Sequence, residues 1–334
     1  MKNIAVFTSG GDAPGMNACI RAVVRSARYF GLEVYGILRG YEGMINGDFI
    51  EMDNRSVSNI IQKGGTILKS ARSEEFRTKE GRKKAYDNIK KFNIDGLVAI
   101  GGNGTFTGAE IFYNEYQVPC VGAPGTIDND LFGTDFTIGY DTAVNTALSA
   151  IDKIRDTADA HDRIFFVEVM GRDTGYIAVR SAISGGAEMA LMPETKTSTK
   201  EIISKLKYGT SNSKASHIII IAEGDEAGRA QIIAEVVKKE LPGLDTKVTT
   251  LGHIQRGGAP TAADRVLASR LGLGAVEGLI KGKTNVMAGV INRTLTYTPF
   301  HDTITKTKPI NKDLIRLIEV LNGREYTPPL VKNN

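Results

Sequence analysis

Cysteine is nearly absent from this chain, and the two it has form no motif. Cys19 and Cys120 lie in apolar stretches without CxxC spacing, so they read as buried thiols of a reducing cytosol. Neither sign of charge dominates. There are 42 basic and 38 acidic side chains for a net +4, too little to imply a nucleic-acid partner. The basic residues are dispersed, and no aromatic-basic platform accompanies them. No apolar run approaches the roughly 20 residues that cross a bilayer, and Met1-Lys2-Asn3 leads directly into a strand with no signal-peptide pattern. A soluble cytoplasmic protein with no membrane partner is expected. No fixed-period repeat, low-complexity tract or Gly/Ser/Pro linker divides the chain.

What is present is alternation. Over 334 residues, 41% of them hydrophobic, short β-branched runs recur at Asn3–Thr8, Glu33–Ile37, Gly96–Ile100, Pro119–Ala123, Arg163–Val169, Met189–Met192, His217–Ala222, Lys247–Leu251 and Val286–Val290. Helical patterns fall between most of them, for example at Asn17–Phe30, Glu75–Phe92, Tyr140–Asp159, Ala230–Glu240 and Thr261–Lys281. Such alternation predicts an α/β protein with parallel sheets covered by helices. A first sheet domain reaching to about Ala123–Gly139, followed by a second, is the working division, with the tail free to cross back.

Three loops at strand C-termini carry the chemistry, where open α/β sheets collect ligands. The first is Ser9-Gly10-Gly11-Asp12-Ala13-Pro14-Gly15-Met16-Asn17, whose glycines leave backbone N–H groups unobstructed just before a helix, a combination that suits phosphate. It is neither a Walker A motif nor a GxGxxG fingerprint. The second is Gly101-Gly102-Asn103-Gly104-Thr105, against which a polyphosphate could lie. The third, Thr126-Ile127-Asp128-Asn129-Asp130, follows a strand stopped by Pro124-Gly125. Its two carboxylates can divide labour between a proton and a metal with its waters; a solvated Asx turn is the alternative for that segment alone.

Together these segments closely resemble the bacterial, ATP-dependent 6-phosphofructokinase family. Later segments extend the match: Met170-Gly171-Arg172, Ala222-Glu223-Gly224 and Leu251-Gly252-His253-Ile254-Gln255-Arg256-Gly257-Gly258. The resemblance covers nearly the whole chain in the family's motif order. It implies two doubly wound, mostly parallel Rossmann-like domains with the active site in the cleft between them. The ATP-binding domain would be 1–138 with part of the tail, the fructose 6-phosphate domain 139–305, and 306–334 a C-terminal segment. It further implies a glycolytic kinase that moves the ATP γ-phosphoryl group to the 1-hydroxyl of fructose 6-phosphate, with Mg²⁺, as a homotetramer.

Residue by residue, Asp128 matches the family's catalytic base, Thr126 and Asp130 its neighbours at the hydroxyl and the metal's waters, and Arg172 the arginine facing the transferring phosphate. ATP would lie along Gly11, Tyr41, Arg72, Ser73, Gly102, Asn103, Gly104 and Thr105. The sugar phosphate would meet Thr126, Ile127, Asp128, Arg163, Met170, Gly171, Arg172, Glu223, Lys247, His253, Ile254, Gln255 and Arg256. In the family, the positions of Arg163 and Lys247 act from a neighbouring subunit. Metal would be held at Asn103 and Asp130. Gly104 and Gly125 stand where pyrophosphate-dependent relatives carry an Asp and a Lys, which favours ATP. That pyrophosphate-dependent activity, or a non-catalytic regulatory paralogue, is the alternative.

Three departures stand out. Asn103 replaces the family's aspartate near Mg²⁺, so an active enzyme with a higher Mg²⁺ requirement is expected. Lys247 replaces an arginine, keeping charge but losing the bidentate fork. The family's effector site for ADP or phosphoenolpyruvate is half retained. Arg21, Arg25, Arg155, Gly186, Glu188 and Lys214 match, whereas Asn54, Asn59, Asn212 and Ser216 replace an arginine, an aspartate, an arginine and a histidine. Loss of that charge weakens any grip on a diphosphate.

Overall fold

The structure is a computed structural model describing residues 1–160, 163–195, 197–211, 216–224 and 230–321. It divides into two compact units, 1–143 with 253–308 and 144–252 with the tail from 309.

The elements of the first unit are β1 (Asn3–Thr8), α1 (Met16–Tyr29), β2 (Glu33–Ile37), α2 (Gly40–Asn46), β3 (Phe49–Met52), α3 (Lys79–Lys91), β4 (Gly96–Gly101), α4 (Asn103–Tyr116), β5 (Cys120–Pro124) and the first turn of α5 (Tyr140–Asp159). The second unit continues with β6 (Ile164–Val169), α6 (Tyr176–Ser184), β7 (Met189–Leu191), α7 (Thr199–Ser211), β8 (His217–Ala222), α8 (Ala230–Glu240) and β9 (Thr246–Thr250). After it come α9 (Ala262–Ile280), β10 (Val286–Ile291), β11 (Thr294–Pro299), α10 (Phe300–Thr305) and α11 (Lys312–Leu321).

The first unit's seven-stranded sheet runs β11-β10-β5-β4-β1-β2-β3. Its middle is parallel; only β3 and β11 run antiparallel to their neighbours. β4 and β5 are buried at every position, as expected of strands covered on both faces. The β10–β11 hairpin turns through Asn292 and Arg293, both at positive φ, the geometry of a type I′ turn. β10 reaches this sheet by pairing parallel to β5, and α9 packs along α1. There a side chain at Gly272 would sit 2.8 Å from the Cys19 carbonyl oxygen, so the two helices approach closely only because that residue is glycine. These non-local pairings assign 253–308 to the first unit. The returning segment is therefore not the tail, whose helix α11 belongs to the second unit.

The second unit's sheet runs β7-β8-β6-β9, all parallel, with β6 and β8 wholly buried. The architecture is the α/β one with helix-covered, mostly parallel sheets that the strand-helix alternation predicts, and the doubly wound one that the family resemblance implies. Among the described residues, no helix is long and apolar enough to cross a membrane.

Candidate active site

Because β5, β4 and β1 are parallel neighbours, their C-terminal loops emerge side by side, and hydrogen bonds lace them together. The Ser9 amide donates to Ile100 O at 3.1 Å, and the Gly125 amide to Gly101 O at 2.9 Å. The Thr105 hydroxyl donates to Ser9 O at 3.1 Å. Gly101 permits this: a Cβ there would stand 2.2 Å from Thr105 Oγ1. α1 and α4, which these loops open, carry no acidic residue in their first turns and no side-chain cap. Their partial positive ends are left for an anion.

The aspartate loop is held from beneath. The Asp128 amide donates to Thr126 Oγ1 at 3.2 Å, and the Thr137 hydroxyl to Thr126 O at 2.6 Å. Asn129, in the left-handed region at φ 54, accepts from the Thr137 amide at 3.0 Å. Asx side chains tolerate that conformation and satisfy it locally. The turn therefore exists, as the alternative reading held, but it is not a solvated one: Asp128 is only 7% exposed, and Asp130 is half-buried. Gly102 lies beside it, since a Cβ there would be 3.6 Å from Thr126 Cβ. Ile127 is fully buried.

Two further segments close on the first loop. The Ser70 hydroxyl donates to Gly10 O at 2.9 Å, which brings exposed Arg72 and half-buried Ser73 to this edge. Arg256 Nη1 donates to Asp12 O at 3.3 Å. Arg256 ends a 3₁₀ turn, Gly252–Arg256, in which His253 and Ile254 are exposed and Gln255 is fully buried. Tyr41, expected among the residues along ATP, packs against the loop from the core side. It is 7% exposed, stacks on Phe76 at 4.0 Å, and donates its hydroxyl to Thr105 O at 2.5 Å, bracing α4 from within. Burial, and secondarily Cys120 nearby, pushes its phenol well above its ordinary pKa.

In the second unit, Met170, Gly171, Arg172 and Glu223 gather at the C-terminal ends of β6 and β8. The Arg172 amide donates to Glu223 Oε1 at 2.8 Å. Arg172 takes φ 55, and a Cβ at Gly224 would be 2.1 Å from Arg172 O, so that glycine admits the close passage of the two loops. Arg163 and Lys247 are not brought to this end. Arg163 precedes β6, and Lys247 pairs with Phe165 near its start. The length of the strand, about 20 Å at roughly 3.3 Å per residue, separates them from Arg172. They instead share Asp245, Arg163 Nε at 2.8 Å and Lys247 Nζ at 2.9 Å, which holds that carboxyl below its ordinary range.

A family model described as phosphofructokinase matches residues 3–279. The chain belongs to the phosphofructokinase family. The ATP-dependent 6-phosphofructokinase of Cytophaga hutchinsonii is 75% identical over 326 residues, 98% of this chain and 99% of that one. ATP-dependent 6-phosphofructokinase 1 of Thermus thermophilus is 54% identical over 96% of this chain and 99% of its own length. Among solved structures, the phosphofructokinase of Saccharomyces cerevisiae superposes with TM-score 0.87 at 35% identity, over 96% of this chain and 47% of that one. A pyrophosphate-dependent phosphofructokinase from Marinobacter aquaeolei shares the fold, with TM-score 0.83 at 21% identity over 99% of this chain and 94% of that one.

In this phosphofructokinase Gly104 and Gly125, the glycines expected to bear on the phosphoryl donor, differ in surroundings. A Cβ at Gly104 would meet nothing within 4 Å, whereas one at Gly125 would stand 3.0 Å from Ile100 and 3.1 Å from Met16. Only the first opens onto free space. Asn103 Oδ1, in the first turn of α4, is buried without a hydrogen-bond partner. An amide oxygen so placed suits a hard cation or one of its waters, so Asn103 fits the expected Mg²⁺; Asp130, half-buried, is the other residue expected to hold it. Among the described residues, no cluster of three or more His, Cys, Asp or Glu side chains could hold a metal alone.

The matched effector positions fall on both units. Arg21 and Arg25 lie one turn apart on α1, and burial together with Arg25 lowers the Arg21 pKa. Arg155 is spent on the carbonyls of Gly185 and Gly186. Glu188 accepts from the Ile218 amide at 2.6 Å, and Ser216 donates to Asp159. Lys214 and Asn212 lie outside the described residues. Nothing in the sequence marked Asp245, Ser70 or Thr137, because each acts through position rather than through a motif.

Proposed function

We propose that this chain is an ATP-dependent 6-phosphofructokinase, transferring the ATP γ-phosphoryl group to the 1-hydroxyl of D-fructose 6-phosphate to give fructose 1,6-bisphosphate and ADP. The observation that carries the reading is the lacing of the three loops: nearly buried Asp128 sits on a loop bonded to the two that open uncapped helices. Asp128 accepts the hydroxyl proton. Its basicity matters little, because the transition state of phosphoryl transfer is loose and position governs the rate. Thr126 holds the loop that aims it. Arg172 offsets negative charge on the transferring group. Gly11 and Gly102–Thr105 receive the triphosphate, with Arg72 bridging its oxygens. Glu223, His253 and Arg256 bind the sugar phosphate.

Asn103 and Asp130 would hold Mg²⁺, which would supply charge neutralisation of the phosphates when bound. The ATP-binding role falls to the first unit. The position of Arg163 and Lys247, a strand's length from Arg172, supports a site completed by a second subunit and hence a homo-oligomer, a homotetramer by family resemblance. A cytoplasmic location goes with glycolysis. Control by ADP or phosphoenolpyruvate is weakened by the losses at Asn54 and Ser216.

One coupled assay tests the reading. Fructose 1,6-bisphosphate should form from fructose 6-phosphate with ATP and Mg²⁺, and not with pyrophosphate. Turnover with pyrophosphate, or no turnover with either donor, would overturn it.

A further inference from the structure

Arg163 and Lys247 are cations that the proposed reading assigns to the sugar phosphate, yet in this structure both face one carboxylate. Asp245 Oδ2 accepts from Arg163 Nε at 2.8 Å, and Oδ1 lies 2.9 Å from Lys247 Nζ. The backbone fixes the arrangement. The Ile164 amide donates to Asp245 O at 3.0 Å, the Arg163 amide to Ala158 O at 3.3 Å, and the His217 amide to Arg163 O at 3.1 Å. Three chain segments thus hold Arg163 in place while α8 turns into β9 at Leu241–Asp245, where the Leu244 amide donates to Leu241 O. The parallel register of Ile164 with Thr246 and Phe165 with Lys247 sets the cations around the carboxylate.

We propose that Asp245 is an affinity-setting residue: it occupies, in the free protein, the anion position that the phosphate of fructose 6-phosphate takes on binding. The inference rests on the proposed reading of Arg163 and Lys247. The chemistry is an exchange of anions. Asp245 and Lys247 are both nearly half exposed, at 47% and 45%, so their ion pairs are weak and readily broken. A phosphate dianion brings twice the charge and more acceptor oxygens to the same two cations, and it prevails. It does so against a carboxylate that stays nearby and repels it. Two charges on the ligand and one on Asp245, a few ångströms apart in high dielectric, oppose binding by about a factor of several. Salt screens that repulsion. Asp245 therefore lowers affinity for the sugar phosphate while keeping Arg163 and Lys247 ordered and apart.

Steady-state kinetics of Asp245→Asn, Asp245→Glu and Lys247→Met test this, each at low and at high ionic strength. Asp245→Asn should lower KM for fructose 6-phosphate several-fold at low salt, with a smaller gain at high salt and with kcat and KM for ATP changing less. Asp245→Glu, which keeps the charge, should stay near the parent value; a purely structural role would not sort the two variants by charge or by salt. An unchanged or raised KM in Asp245→Asn, while Lys247→Met raises KM, would overturn the inference alone. An unchanged KM in Lys247→Met would instead overturn the assignment of that residue to the sugar phosphate, and the inference with it.

Discussion

Arg256 lies over Gly11. Its Nη1 donates to Asp12 O at 3.3 Å, and a methyl group on Gly11 would stand 2.6 Å from that same nitrogen. A segment 244 residues downstream of Asp12 thus rests on the first phosphate loop, and the contact requires a residue without a side chain.

Gly11→Ala should therefore push the guanidinium aside without unfolding the protein, because the far end of a flexible side chain is what yields. KM for both substrates should rise while the thermal midpoint barely moves. A lowered midpoint with unchanged KM would locate the effect in the fold instead.

The two glycines proposed to bear on donor choice separate in the same way. Gly104→Asp projects into open space, so the protein should fold normally and lose ATP affinity through charge repulsion. Gly125→Lys drives a side chain at Ile100 and Met16, and overpacking of this kind costs about 1–3 kcal/mol. Denaturant unfolding of both variants, read beside KM for ATP, distinguishes the two effects.

Asn103 presents a buried amide oxygen without a partner. Asn103→Asp adds the missing charge, so half-saturation by Mg²⁺ should fall, and Mg²⁺ should raise the thermal midpoint of the variant at lower concentration. No change in either measurement would exclude position 103 from the metal's surroundings.

Burial pushes the thiols of Cys19 and Cys120 up to about 12, against an ordinary value near 8.5. Both should resist a thiol reagent at pH 8 until the chain is unfolded in urea. The sign of the linked stability follows. The unfolded chain loses these protons first as pH rises, so stability is full below about pH 8.5 and declines as pH climbs toward 12, by up to about 1.4 kcal/mol per pH unit for each thiol. Cys120→Ala should flatten that decline; an unaltered slope would contradict it.

How far these features could be read from the sequence depends on how local their causes are. β1, β4 and β5 announce themselves as apolar runs ending in glycine loops, and the structure sets those loops abreast. The pattern over Glu75–Phe92 overran its helix. Thr78 caps α3 by accepting from the Gly81 amide at 3.0 Å, leaving only a 3₁₀ turn before it. α4 was hidden by its glycine start, and β11 by a threonine-rich, half-buried edge position. The return of 253–308 rests on β10 pairing with β5, more than 160 residues apart by the Val286–Val121 register, and no local signal reports such a pairing. The burial of Tyr41 and the bridge at Asp245 are likewise products of tertiary packing.

The account stands on the carboxylate at position 128. Measuring kcat for Asp128→Asn with saturating ATP, fructose 6-phosphate and Mg²⁺ tests it most directly, since the amide preserves shape but cannot take the proton. A fall of about 10²–10⁴-fold with KM for both substrates nearly unchanged is the expected result; turnover within a few-fold of the parent enzyme would contradict it.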